Sequence, residues 1–166
     1  MKKLLLLDAD IIIDLHVLDL FQNICKAYDV HITKTVLDEA KFYRKDGVKW
    51  PINILSKVTI VEDIEIETLG EINAQAKKAK LQIDPGESTS IAFLVQSEKD
   101  IRLCLCDKAA ITLVSFMDIE EKCISLEKAL KEAGHHKTLY PRHLDSNFEE
   151  CIKKGKELRI YQMDLK

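Results

Sequence analysis

Four carboxylates in this 166-residue chain stand where they could share one cation: Asp8, Glu39, Glu87 and Asp107. Asp8 ends the apolar run Leu4–Leu7, and Asp107 ends a second run, LCLC, at Cys106. Glu39 lies in TKTVLDEA, and Glu87 in DPGESTS. A hard, oxygen-only donor set suits Mg²⁺ or Mn²⁺. An ion held this way can lower the pKa of a water and offset charge on a phosphate during an in-line displacement. Each residue also has an ordinary structural role open to it. Asp8 can start a turn, and Asp10 or Asp107 can cap a helix. Glu87 can be the N3 partner of Asp84 in a capping box, and Glu39 can pair with Arg44 or Lys45 on a solvated helix face.

For the four acids to meet, strand ends and helix starts must reach one edge. Leu4–Leu7 is too short and too evenly apolar for a surface helix and reads as a strand buried on both faces. Residues 11–25 read as a helix, 29–32 as a strand, and Thr33 or Thr35 as the cap of a helix through VLDEAKFYRK. Gly47 and Pro51 mark a break, and 57–62 alternates as a strand. A helix is predicted over 68–81, ended by lysines that suit its negative pole. Asp84-Pro85-Gly86-Glu87 then forms a strong start for the next helix. Residues 101–106 read as a buried strand, 108–117 as a helix, 122–125 as a strand, and LEKALKEA as a helix reaching Gly134. His135–Arg142 reads as a loop, and 144–165 as a helix with Gly155 as its weak point.

This alternation predicts an α/β fold, a parallel sheet between two layers of helices. Ligands of such sheets bind outside the carboxyl ends of the strands. If the strands ending at Asp8 and Asp107 are neighbours, their ends lie about 5 Å apart. Carboxylates that close repel unless a cation sits between them.

Hydrophobic residues make up 46% of the chain and charged residues 32%, the balance of a globular protein with a full core. The formal net charge of −3 offers no global attraction for nucleic acid, so a polyanionic substrate would need local cations or a metal. The lysines and leucines at the start resemble a signal peptide, but Asp8, Asp10 and Asp14 interrupt the run. No stretch is long enough to span a membrane. Five cysteines, an odd and scattered set, read as reduced thiols. A cytoplasmic protein is therefore expected. His135, His136, His143 and Cys151 match no zinc spacing and read as a solvated loop.

LLLLDADIIIDL, TKTVLDEA, DPGESTSIAFL and LCLCDKAAITL occur in the order and rough spacing seen in PIN-domain nucleases, and CISLEKALKEAG is similar to the strand and helix that close such domains. The chain resembles that family from Lys2 to about Gly134. The resemblance implies a PIN-like α/β/α sandwich over 1–134, with 135–166 as an extra helical segment packed on it. It implies a Mg²⁺- or Mn²⁺-dependent endoribonuclease that hydrolyses RNA, with Asp8, Glu39, Glu87 and Asp107 as metal-binding and catalytic acids. Many such domains are the toxin of a VapBC-type toxin–antitoxin pair, and others process RNA. The expected partners are thus RNA, a cognate antitoxin protein and, in a homodimer, a second copy.

Two residues depart from the usual pattern: Asp10 where Asn or Ser is common, and Cys106 where a small or hydroxylated residue is common. Two other readings stand beside this one. One is a degenerate PIN-like module that binds RNA or protein without cutting. The other is an aspartyl-phosphate phosphatase of the haloacid-dehalogenase type, suggested by Asp8-Ala9-Asp10. Ile12 and Lys108 do not fit its motifs. Basic Lys41, Arg44 and Lys45 beside Phe42 and Tyr43 suit phosphate contact and base stacking, and equally suit an exposed helix end.

Overall fold

The structure is a computed structural model and describes residues 1–165. Lys166, the last residue of the expected C-terminal segment, lies outside the described residues.

Five parallel strands form one sheet in the order β5-β2-β1-β6-β7. These are β1 (Lys3–Leu7), β2 (Tyr28–Thr33), β5 (Thr59–Val61), β6 (Ile101–Cys104) and β7 (Cys123–Ile124). The strand that ends at Asp8 is central. It pairs with β2 from Lys3↔Tyr28 to Leu6↔His31, and with β6 from Leu4↔Ile101 to Leu7↔Cys104. Leu5 and Leu7 point into one apolar cluster, and Leu6 points into another on the opposite face. Successive strand residues face opposite sides. A strand with core on both sides therefore needs apolar residues at every position, which is why Leu4–Leu7 lacks alternation.

On the Leu5 and Leu7 face lie α1 (Ala9–Val17), α2 (Phe21–Ala27) and α7 (Leu126–Glu132). On the other lie α4 (Ile66–Lys78), α5 (Pro85–Gln96), α6 (Lys108–Phe116) and α8 (Asp145–Asp164). The single helix expected over 11–25 is two helices. Asp19 adopts a left-handed conformation (φ 57°), and the Leu20 amide donates back to the Leu15 carbonyl at 2.8 Å, closing α1.

The helix expected through VLDEAKFYRK is also corrected. It is α3 (Lys34–Glu39), only six residues, capped by Thr33 Oγ1, which accepts from the Val36 amide at 3.2 Å. The chain then turns into an antiparallel hairpin of β3 (Phe42–Lys45) and β4 (Val48–Pro51). Asp46 (φ 52°) and Gly47 (φ 75°) form its two-residue turn, both with the positive φ that a tight hairpin between twisted strands requires.

The C-terminal segment is fastened to the core. Phe148, Cys151 and Ile152 of α8 join the same apolar cluster as Leu6 and Leu103. Ser115 Oγ donates to the Ile152 carbonyl at 2.5 Å. Gly155 is a point of close approach and not a weak point. A Cβ there would lie 2.4 Å from the Thr112 carbonyl oxygen and 2.5 Å from Ser115 Cβ. His143 is buried, contrary to the solvated loop expected around it. Among the described residues, no helix is long and apolar enough to cross a membrane.

Candidate functional site

The carboxyl edge of the sheet gathers acid. Asp8 follows β1, and its backbone is the N-cap of α1. It is 2% exposed, and its Oδ1 is buried with no hydrogen-bond partner. Glu87 is also buried, one turn into α5. The capping box expected there is present: Asp84 Oδ1 accepts from the Glu87 amide at 2.8 Å, and Glu87 Oε2 accepts from the Asp84 amide at 2.9 Å. Asp107 caps α6, its Oδ1 accepting from the Ala110 amide at 3.0 Å. Glu39 is the last residue of α3. Its Oε1 accepts from the Gly86 amide at 3.1 Å, so the side chain reaches the start of α5.

Glycine at 86 makes that approach possible. A Cβ at this position would fall 2.2 Å from Glu39 Oε2. A hydroxyl chain supports the junction. Thr33 Oγ1 and Thr89 Oγ1 share a hydrogen bond of 3.0 Å, and Thr89 donates to the Gly86 carbonyl at 3.0 Å. The end of β2 is thereby tied to the first turn of α5, and Glu39 is held against it.

The electrostatics join these residues into one cluster. Burial, then repulsion from Asp84, Asp10 and Glu39, pushes the Asp8 carboxyl up to about 7, against a lowering contribution from the Ala9 amide. Burial, then repulsion from Asp107, Asp8 and Asp84, pushes Glu87 up to about 8, against the hydrogen bond from the Asp84 amide. Glu39 is raised by burial and by Asp84 and Asp10, with the Gly86 amide opposing. Glu87 thus feels both Asp8 and Asp107, which end the neighbouring strands β1 and β6.

All four acids expected from the sequence therefore reach this edge, and two more stand with them. Asp84 is more than a cap, since its charge is the one that most raises the carboxyls of both Asp8 and Glu39 after burial itself. Asp10 is half-buried, and burial raises it against the opposing pull of Arg142. The signal for Asp84 was its position three residues before Glu87, which brings two acids together at one helix start.

Arg142, which sequence spacing could not reveal, lies at the rim. It hydrogen-bonds Asp14, and its Nη1 is 3.6 Å from Asp10 Oδ2. His143 Nε2 is 2.6 Å from the same Asp14 Oδ2. Burial pushes Asp14 up, but hydrogen bonds from His143 and Arg142 outweigh it and leave the carboxyl below its usual range.

As placed, no three Asp, Glu, His or Cys side chains among the described residues converge on one ion position. Glu39, Glu87 and Asp107 each commit one oxygen to a backbone amide. The donor set still fits a hard divalent ion. It is all oxygen, it is crowded with like charge, and its central member has a buried oxygen with nothing to accept from. Compared with protein-family models, with curated proteins and with solved structures, the chain matches none of them.

Proposed function

We propose that this chain is a divalent-metal-dependent ribonuclease of the PIN type. The observation that carries the reading is Asp8, a buried carboxylate with one orphaned oxygen, at the strand end where five further acids gather. Asp8, Glu87 and Asp107 would hold Mg²⁺ or Mn²⁺, with Glu39 at the rim. A bound ion supplies Lewis acidity toward water and toward a phosphate oxygen. Glu39, exposed at the end of α3, orients the attacking water from the solvent side. Burial of Asp8 and Glu87 keeps competing water away from the inner oxygens, which strengthens their hold on a cation. RNA is the substrate. A small protein that inserts an arginine among these carboxylates is the kind of inhibitor the site would accept, because a guanidinium can bridge carboxylates. Arg142 shows that pairing at Asp10 and Asp14 from within the chain.

The purified protein should cut single-stranded RNA with Mg²⁺ or Mn²⁺ and stop with EDTA. Asp8→Asn and Asp107→Asn should each lower the rate by at least a hundredfold, on the scale of removing a group that stabilises the transition state. If Asp8→Asn, purified identically, cuts as fast as wild type, the site is misplaced and the acids are scaffolding in a binding module.

A further inference from the structure

The hairpin β3–β4 stands outside the main sheet, and its two faces differ in kind. Directly opposed residues of a two-stranded ribbon share a face. One face carries Tyr43 and Lys45 with their cross-strand partners Trp50 and Val48. Tyr43 packs on His16, ring centroids 5.3 Å apart, and Lys45 bonds Asp19, so the β3 side of this face is anchored to α1, while Val48 and Trp50 on its β4 side stay exposed. The other face carries Phe42, Arg44, Lys49 and Pro51. Phe42 is 48% exposed, and the Lys49 ammonium stands 4.2 Å from its ring centroid.

Arg44 lies directly across from Lys49. Like charges at that position repel and weaken the ribbon. Neither has an acidic partner among the described residues. Beside this face a cleft of about 510 Å³ opens, lined by Leu37, Phe42, Pro51 and Leu55 among others. That is the size of a ligand-binding cleft. Asp38 and Ala40, the sequence neighbours of Glu39, also line it, while the Glu39 side chain itself turns to the Gly86 amide.

An exposed ring, two unpaired cations facing each other and an apolar cleft suit one occupant. Unpaired bases present flat faces that stack on aromatic rings, and their backbone brings the anions the cations lack. A duplex hides those base faces. We infer that the outer face of the β3–β4 hairpin, with Phe42 as stacking platform and Arg44 and Lys49 as phosphate contacts, binds single-stranded RNA and leads it toward the acidic edge at Glu39. This deepens the ribonuclease reading and rests on it for the choice of RNA. The binding itself can be tested without cleavage.

The experiment is fluorescence anisotropy of an end-labelled single-stranded RNA 12-mer with the full chain in EDTA, and of the same RNA annealed to its complement. The single strand should bind at least tenfold tighter than the duplex. Phe42→Ala should weaken single-strand binding about tenfold, the scale of one lost base stack, while Phe42→Trp retains it. Arg44→Gln and Lys49→Gln should each weaken binding and lower the slope of log affinity against log salt by about 0.7, one phosphate contact on a single strand. Arg44→Gln should also raise the melting temperature, because the cross-strand repulsion is gone.

The inference falls if Phe42→Ala binds as tightly as wild type. It falls if the duplex or heparin binds as well as the single strand. It also falls if sedimentation shows a dimer that Phe42→Ala dissolves, which would make this face a contact between copies. Phe42-dependent binding together with cleavage that ignores Asp8 would sink the ribonuclease reading alone. Asp8-dependent cleavage with Phe42→Ala binding unchanged would sink this one alone.

Discussion

Burying a carboxylate without a partner for one oxygen opposes folding unless a proton or a cation comes with it. Asp8 is such a carboxylate, and the sign of its effect on stability follows from its raised pKa. The folded state keeps a proton that the unfolded chain releases above about 3.8, so this contribution to stability is present at low pH and is lost as pH rises through about 7. Glu87 acts in the same direction, through about 8. In EDTA, melting temperature should therefore fall between pH 5.5 and pH 8, and Asp8→Asn should flatten that slope. Mn²⁺ at a hundredfold excess over Kd should restore about 2.7 kcal/mol to wild type at pH 8, and far less to Asp8→Asn. A wild-type melt that ignores both pH and Mn²⁺ would remove the metal site. At this scale Asp8 and Asp107 were legible because an apolar run that stops at an acid is a simple signal. Arg142 and His143 were not, because their partner Asp14 lies more than a hundred residues away and no local pattern announces the contact.

At the scale of elements, the site depends on how closely α3 approaches the start of α5. Gly86→Ala tests this. The atom it would meet is the far end of the Glu39 side chain, which can swing away, so stability should change by less than about 1 kcal/mol. Glu39 would lose its place beside the Gly86 amide. Cleavage should drop by about 10- to 100-fold, the cost of removing a supporting ligand. A Gly86→Ala protein that melts and cuts like wild type would show that Glu39 has no part in the reaction. The capping box at Asp84 and Glu87 was readable in advance because its residue types and three-residue spacing are local. The hairpin was not. TKTVLDE starts a helix legitimately, and FYRK continues at helical spacing, so the local pattern alone carries a helix past Glu39. The overriding signal was Asp46-Gly47, flanked by the β-formers Phe42, Tyr43, Val48 and Trp50.

At the scale of the whole molecule, the C-terminal segment belongs to the site's support. The α8 helix packs on α6, whose N-cap is Asp107, and Arg142 and His143 clasp Asp14 on α1. Gly155→Ala would place a methyl against the Thr112 backbone carbonyl, which cannot rotate away as a side chain can. It should destabilise the protein by about 1–3 kcal/mol, read in urea melts, and lower cleavage with it. If stability is unchanged, α8 packs more loosely than the structure has it. The parallel sheet was legible from the strand–helix alternation. The order of its strands was not, since which strand lies beside β1 depends on contacts between distant parts of the chain.

That order has a consequence in time. The central strand β1 is made first, yet one of its two neighbours, β6, begins only at Ile101. Pairings between strands so far apart in sequence close large loops before they return any contact energy, and they form slowly. Until β6 arrives, Leu4–Leu7 has one open edge and an unfinished core above it. This fully apolar stretch thus waits longer for a partner than any other strand of the sheet, and refolding should give a higher yield the more dilute the chains are while it waits.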